Sequence, residues 1–277
     1  MELATLLQQR FVMPSVPRVM ALLMSELGGS RQDLRRIDLL LGHDPALTTR
    51  LLQAANAPMF KLDGQIHSVA EALVVLRLGQ VHAMVSQAVS RASFKTVPGL
   101  QLPKFWAYSQ DTARVSRSLA GLLRLNQQAA YTCGLIHAIG ELAMRLAMRE
   151  AVEFDAMYAA FDIRREWFEI QAFGYGYTQV SAGLAELWHF PKVMVNAMQF
   201  ANAPFDNEVY EPLAGVLHLA IWRARAKQAG LNAKALAVSF PSSVADVLGV
   251  DIDIVLQQDP IDWSKQMPGS NFMDFGV

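Results

Sequence analysis

Few residues in this 277-residue chain are able to do acid–base, nucleophilic or metal chemistry. The six histidines stand at positions 43, 67, 82, 137, 189 and 218, and no two are three or four residues apart. That is the spacing that puts two imidazoles on one helix face to hold a metal. Cys133, the single cysteine, lies four residues before His137, so thiol and imidazole can share a helix face. A Cys–His nucleophile also needs an oxyanion hole and an exposed thiol, and a lone cysteine is more often a small buried apolar residue. Glu141, one turn beyond His137, is placed to form a carboxylate–imidazole pair, although a helix partner or a solvated charge is the commoner role. Gly174-Tyr175-Gly176 lacks the further glycine and Lys-Ser/Thr of a phosphate loop and reads as a turn. The basic groups Arg31/Arg35/Arg36, Arg145/Arg149, Arg164/Arg165 and Arg223/Arg225/Lys227 are interleaved with acids, as solvated helix faces are. One of them is also a candidate contact for an acidic partner or a phosphate.

The elements that position these residues read as helices. Val16, Val19, Met20, Leu23 and Leu27 follow a helical period, opened by Pro17 and stopped by Gly28-Gly29. Ser30 is the expected cap of a helix through Leu34, Ile37 and Leu41. Asp44-Pro45 reads as N-cap and first helical residue. Residues 56–64 read as a loop, and Ser68-Val69-Ala70-Glu71 as a capping box. Gly79 is expected to end or bend that helix, with another over about 80–94. Residues 95–103, rich in proline and glycine, mark the internal boundary. Helices are expected over about 104–124, 127–148, 152–161, 163–173, 178–188, 192–201 and 209–228. Residues 235–240 read as a short strand or a loop, and 244–248 and 252–257 as short helices. Trp106, Trp167, Trp188 and Trp222 sit on helical patterns and are expected in the core. Trp263, Phe272 and Phe275 lie in a turn-rich tail and are expected to dock on the domain's own surface.

Composition sets the class. Hydrophobic residues make up 52% and charged residues 18%, with a net charge of −1 and a mean hydropathy of +0.20. Such a chain can build a core and is not wholly disordered. It lacks the cationic face of a general nucleic-acid binder or of a polybasic membrane-surface protein. One cysteine excludes an internal disulfide and a cysteine metal cluster. Residues 1–5 do not resemble a secretory signal, and the least polar run, 129–139, falls short of the ~20 residues of a membrane span. A soluble protein of a reducing cytoplasm is expected.

Four segments together resemble one family. Asp44-Pro45-Ala46-Leu47-Thr48-Thr49-Arg50-Leu51-Leu52, with Ala55-Asn56-Ala57, resembles the D-P-x-L-x-x-R-L-L…N-S segment of HDOD domains. Ile66 to Leu73 with Leu78-Gly79 is similar to the family's I-x-S-I-x-x-A-I-x-x-L-G. Gly134 to Gly140 resembles G-L-L-H-D-I-G, and Trp188-His189-Phe190-Pro191 resembles W-x-x-P. The resemblance runs from about Phe11 to Gln228. It implies an all-α, multi-helical bundle, akin to the HD metal-dependent phosphohydrolases but non-catalytic, and common in bacterial signalling and regulatory proteins. Two helical lobes, about 1–97 and 98–230, and a C-terminal extension over 231–277 are expected.

The resemblance also says where an HD-type metal site would lie. Its first ligand falls in the segment Phe105–Ser109, where Tyr108 or Ser109 stands. The central His-Asp pair is His137-Ala138, so the imidazole is kept and the carboxylate is gone. The last aspartate falls near Ile221, in a segment with no carboxylate. A further segment that often carries paired histidines has Ala201 and Asn202. The vestigial positions are therefore Tyr108, His137, Ala138, Glu141, Asn202 and Ile221, with His137 the one candidate metal ligand. One imidazole cannot hold a divalent ion alone. No cofactor and no catalytic residue are expected. The expected role is regulation through a protein partner or a bound small molecule or nucleotide, with neither nucleic acid nor membrane as partner. The alternatives are a divergent HD-type phosphohydrolase using His137 and Glu141, and a nucleotide or second-messenger sensor without turnover.

Overall fold

In a computed structural model of the chain, residues 1–62, 64–91, 96–158 and 161–258 are described. Among them the fold is all-α, with no strand. The first helices are α1 (Leu3–Leu7), α2 (Pro17–Leu27), α3 (Leu34–Leu41), α4 (Pro45–Ala55), α5 (Val69–Val75) and α6 (Leu78–Arg91). Next come α7 (Leu102–Leu122), α8 (Gln127–Ile136), α9 (Ile139–Ala147), α10 (Arg149–Glu153), α11 (Arg165–Phe173), α12 (Tyr177–Leu187), α13 (Lys192–Gln199) and α14 (Pro212–Gln228). The last are α15 (Ala233–Ser239), α16 (Ser242–Leu248) and α17 (Ile252–Gln257). No single helix among the described residues is long and apolar enough to cross a membrane.

Two hydrophobic cores result. The smaller gathers Val19, Leu23, Ile37, Leu41, Leu47, Leu51, Val81 and Val85 from α2 to α6. The larger runs from α7 to α17 and also takes in Leu6 of α1, Met13, and Ala46 and Leu52 of α4. So α4 has one apolar face in each core, and α1 packs on α9 and α12. Polar groups stitch the seam: Tyr131 Oη donates to Gly42 O (3.0 Å), Gln110 Nε2 to His43 O (3.0 Å), and Gly64 N to His189 O (3.1 Å).

Local chemistry explains the ends. Asp44 is fully buried; one oxygen accepts from Leu47 N (2.9 Å) and the other from Val16 N (2.7 Å). It thus caps α4 and ties down the entry to α2. The loop after α4 is held by buried Asn56, whose amide donates to Ile66 O (3.0 Å) and accepts from Ile66 N (3.1 Å). Ser68 Oγ accepts from Glu71 N as expected, but Glu71 reaches back to His67 N (2.6 Å) rather than to Ser68 N.

Several elements differ from the sequence reading. Asp33, not Ser30, caps α3. The chain breaks at Leu76, where ψ is 134°, so Gly79 lies inside α6 instead of ending α5. Residues 127–148 form two helices, broken at His137-Ala138. Both flanking glycines allow close approach. A Cβ on Gly134 would lie 2.6 Å from Ala113 Cα in α7, and one on Gly140 would meet the backbone of α12 at Tyr177 and Ser181. Residues 235–239 belong to helix α15, whose N-cap Asn232 accepts from Ala235 N, and Phe240 follows it in an extended conformation. Trp167 is 59% exposed rather than in the core. Trp263, Phe272 and Phe275 lie outside the described residues, as does Asp63.

Candidate functional site

The break between α8 and α9 leaves His137 in the middle of the larger core, 1% exposed. Its Nδ1–H donates to Gly134 O at 2.7 Å, because a carbonyl can only accept; Nε2 then accepts from Tyr108 Oη of α7 at 3.1 Å. Burial drives the His137 pKa down to about 3, so the imidazole is neutral. The Tyr108 ring meets it edge-on and leans on Phe161 at 4.8 Å between centroids. Burial also raises the Tyr108 phenol, which stays protonated and keeps donating.

The other vestigial positions do not join His137 as ligands. Ala138 and Ile221 are buried, apolar and without donor atoms. Asn202 donates through Nδ2 to Tyr177 Oη (2.8 Å) and to Glu166 Oε2. Glu141 makes no imidazole pair; its carboxylate takes Arg145 Nε at 2.7 Å, the helix-partner role, and Arg165 Nε at 3.2 Å. Cys133 is fully buried, its thiol is pushed up by desolvation, and both His137 nitrogens are engaged elsewhere, so no Cys–His dyad forms.

Sequence reasoning missed the charged group at the heart of this buried cluster. Arg225 of α14 donates through Nη2 to Tyr177 Oη at 3.0 Å, and its charge is felt at Tyr108, His137, His218 and Tyr177. The Tyr108, Tyr177 and Glu166 groups around it hold the guanidinium in its charged form despite burial. Position 225 is four residues beyond Ile221 and seven beyond His218, so helical spacing already put it on the cavity face. Reading its cluster as a solvated face hid it.

A divalent metal does not fit these residues. The imidazole has spent both nitrogens, Ala138 and Ile221 have no donor atoms, and a fixed guanidinium charge lies close by. Among the described residues, no group of three or more His, Cys, Asp or Glu side chains gathers as a metal site.

Charge is concentrated instead beside the cavity, under α11. Arg145 grips Asp155 with two parallel bonds of 2.7 Å. Arg165, 2% exposed, bonds Glu169 Oε1 (3.0 Å), Asp155 Oδ1 (2.7 Å), Tyr158 O (2.9 Å) and Ala151 O (2.6 Å). Burial and the nearby Glu141 charge push the Glu169 pKa up to about 8. Glu166 accepts from Thr178 N (3.2 Å), Thr178 Oγ1 and Asn202. Arg145 and Arg165 are thus buried against Glu141 and Asp155, not on the solvated faces their sequence pattern suggested.

The HDOD domain profile matches residues 13–204 of the chain. The chain belongs to the HDOD family. That match covers all four segments whose residues carry the resemblance. Among solved structures, the fold of this HDOD chain is similar to the MmoQ response regulator of Methylococcus capsulatus. The TM-score is 0.72 at 21% identity, over 89% of this chain and 97% of that one. A virulence factor of Campylobacter jejuni follows the fold with a TM-score of 0.69 at 18% identity, over 96% and 98% of the two chains. An HDOD domain protein of Geobacter sulfurreducens matches at 0.52 and 20% identity, over 94% of each. Likeness at these identities concerns the fold. An uncharacterized protein of Treponema pallidum is 24% identical over 214 residues, which are 75% of this chain and 41% of that protein. The chain thus spans about two fifths of the length of that curated relative.

Proposed function

We propose that this HDOD chain is a non-enzymatic regulatory module, which acts by binding a partner protein rather than by turning over a substrate. The observation that carries the reading is the closed hydrogen-bond path Gly134 O, His137 and Tyr108 Oη, backed by the Arg225 guanidinium. A metal hydrolase needs an open coordination position and a water made acidic by the ion. Here a neutral imidazole and a protonated phenol satisfy each other, and the cavity's charge is organic and fixed. The same fold in a protein described as a response regulator agrees with a regulatory role.

The test is metal analysis together with nucleotide phosphodiesterase assays in Mg²⁺, Mn²⁺, Fe²⁺ or Ni²⁺. Sub-stoichiometric metal and no turnover are expected. Turnover that His137→Ala abolishes would refute the proposal. The reading as a phosphohydrolase built on His137 and Glu141 lacks its carboxylate, since Glu141 is committed to Arg145 and Arg165.

A sensor without turnover is favoured by one specific observation: Arg225 Nε is buried with no hydrogen-bond partner among the described residues. That leaves a donor for an anionic group. Thermal-shift titration with nucleotides checks it: a ligand at 100 times its Kd stabilises by ~2.7 kcal/mol, so no shift at large excess excludes tight binding.

A further inference from the structure

Helix α11 is inside out. An amphipathic helix ordinarily turns its apolar stripe to the core. In α11 the inward residues are Arg165 (2% exposed), Glu166 (6%) and Glu169 (0%). Outward stand Trp167 (59%) and Ile170 (39%), and Ile163 (67%) is exposed in the turn that leads into the helix. The helix cannot roll to hide them, because the Arg165–Asp155 ion pair and the hydrogen bonds of Glu166 and Glu169 fix its orientation. Behind the ridge, Phe168 stacks on Tyr158 with centroids 4.0 Å apart and meets Trp167 edge-on at 4.7 Å. Arg164 lies over the Tyr158 ring but is paired with Asp162. Rigid aromatic side chains with an arginine at their edge are the composition of an interface centre.

We propose that this ridge is covered by the chain's own C-terminal segment, and that Phe272 and Phe275 are the residues that dock. Area favours an occupant in cis. Ile163, Trp167 and Ile170 offer on the order of 350 Å². Two copies meeting there would bury about 700 Å², less than the ~1,200 Å² of a stable interface between separate chains. A tethered segment needs less, since its effective concentration is about millimolar.

Composition and reach agree. Residues 259–277 include Ile261, Trp263, Met267, Phe272, Met273 and Phe275, with Lys265 as their only basic residue. The described chain stops at Gln258, bonded to Ser118 of α7. Tyr108 is ten residues earlier on α7, about 15 Å along the axis. Its ring touches Phe161 at 4.8 Å, and six residues more, at most ~20 Å, lead to Trp167. The span is therefore at most about 40 Å. Phe272, fourteen residues beyond Gln258, reaches ~46 Å and Phe275 ~56 Å, so both can cover it.

The experiment is amide hydrogen exchange by mass spectrometry on the full chain. Residues 270–277 should exchange roughly tenfold or more slowly than the same sequence as a free peptide. Trp167→Ser should abolish that protection, and so should the pair Phe272→Ser and Phe275→Ser. A circular-dichroism spectrum like that of the parent chain shows that each variant folds. Exchange at the free-peptide rate in the parent chain, or protection untouched by Trp167→Ser, would overturn the proposal. Protection that fades on dilution, with a matching change in sedimentation, would assign the ridge to a second copy and overturn it as well.

Discussion

Arg165→Met tests whether α11 is held by charge. The arginine is 2% exposed and makes bonds of 3.0, 2.7, 2.9 and 2.6 Å to Glu169, Asp155, Tyr158 O and Ala151 O. Methionine fills much of the stem's volume and removes the guanidinium. Breaking one side of a buried pair costs ~3–5 kcal/mol, and a buried carbonyl left without a donor adds ~1–3 kcal/mol. Glu169 limits the loss, because a carboxyl with a pKa of about 8 is already neutral at pH 7 and leaves no bare charge. A loss of ~3–5 kcal/mol at pH 7 is therefore expected. The pH dependence is the sharper signature. Arg165 lowers the Glu169 pKa, so without it the folded-state value rises beyond 8 while the unfolded value is unchanged. Below pH 8 both folded proteins keep the Glu169 proton and the difference between them is flat. Above pH 8 the parent gives up its proton first, so the difference should grow by up to ~1.4 kcal/mol per pH unit. Urea unfolding followed by circular dichroism from pH 6 to 9 measures it. The exposed neighbour Arg164→Met should match the parent at every pH. A loss under ~1 kcal/mol at pH 7, or a difference flat from pH 7 to 9, would refute the charge-anchor reasoning.

Glu169→Gln should remove a pH slope of the parent: the folded pKa is raised from 4.5 to about 8, so stability falls as pH rises through that window. Between pH 6.5 and 8, where His137 no longer contributes, the slope lost is at most ~1.4 kcal/mol per unit, read by urea midpoints. His137 acts with the opposite sign: its folded value of about 3 lies below 6.5, so stability is lost as pH falls below 6.5. Tyr108→Phe leaves His137 Nε2 buried without a donor and should cost ~1–3 kcal/mol in urea unfolding, with no change in helix content; a change under ~0.5 kcal/mol would mean the bond is not made. Asn56→Ala leaves both backbone polar groups of Ile66 unpaired and should cost ~2–4 kcal/mol, with faster amide exchange over residues 57–67.

Helix content and order were legible because apolar periodicity and caps such as Asp44 and Ser68 are local signals. What escaped depends on distant partners. The period through residues 127–148 is unbroken in sequence; the break at His137 comes from α7 and α12 pressing on Gly134 and Gly140. Residues 235–240 alternate as a strand would, and Asn232, three residues outside the pattern, decides for helix. In α11 the period was read correctly and its direction was not. A pattern marks two faces without saying which is inside, and Arg165 and Glu169 can be buried only because Asp155, Glu141 and Arg145 come from other segments. The site divides in the same way. The family motif located His137 and the donor-free Ala138 and Ile221, whereas Arg225 and Tyr177 had no motif to mark them.

A fold akin to metal-holding HD domains faces a physical problem where the ligands are absent. A cavity built around a dication carries acceptors whose burial is favourable only while a positive charge faces them. In this chain two features appear together. Where the family resemblance would place carboxylates stand the buried, apolar Ala138 and Ile221, which make no demand for positive charge. Arg225 supplies one cation to the acceptors that remain, Tyr177 Oη and, through Asn202, the Glu166 carboxylate. The two features go together: carboxylates kept at 138 and 221 would leave anions in excess of the one guanidinium, and without Arg225 the chain through Tyr177 Oη and Asn202 to Glu166 would lose its charged donor. Replacing Ala138 by aspartate would therefore not recreate a metal centre. The new carboxylate would meet a fixed cation, and His137 would still have no free nitrogen to offer.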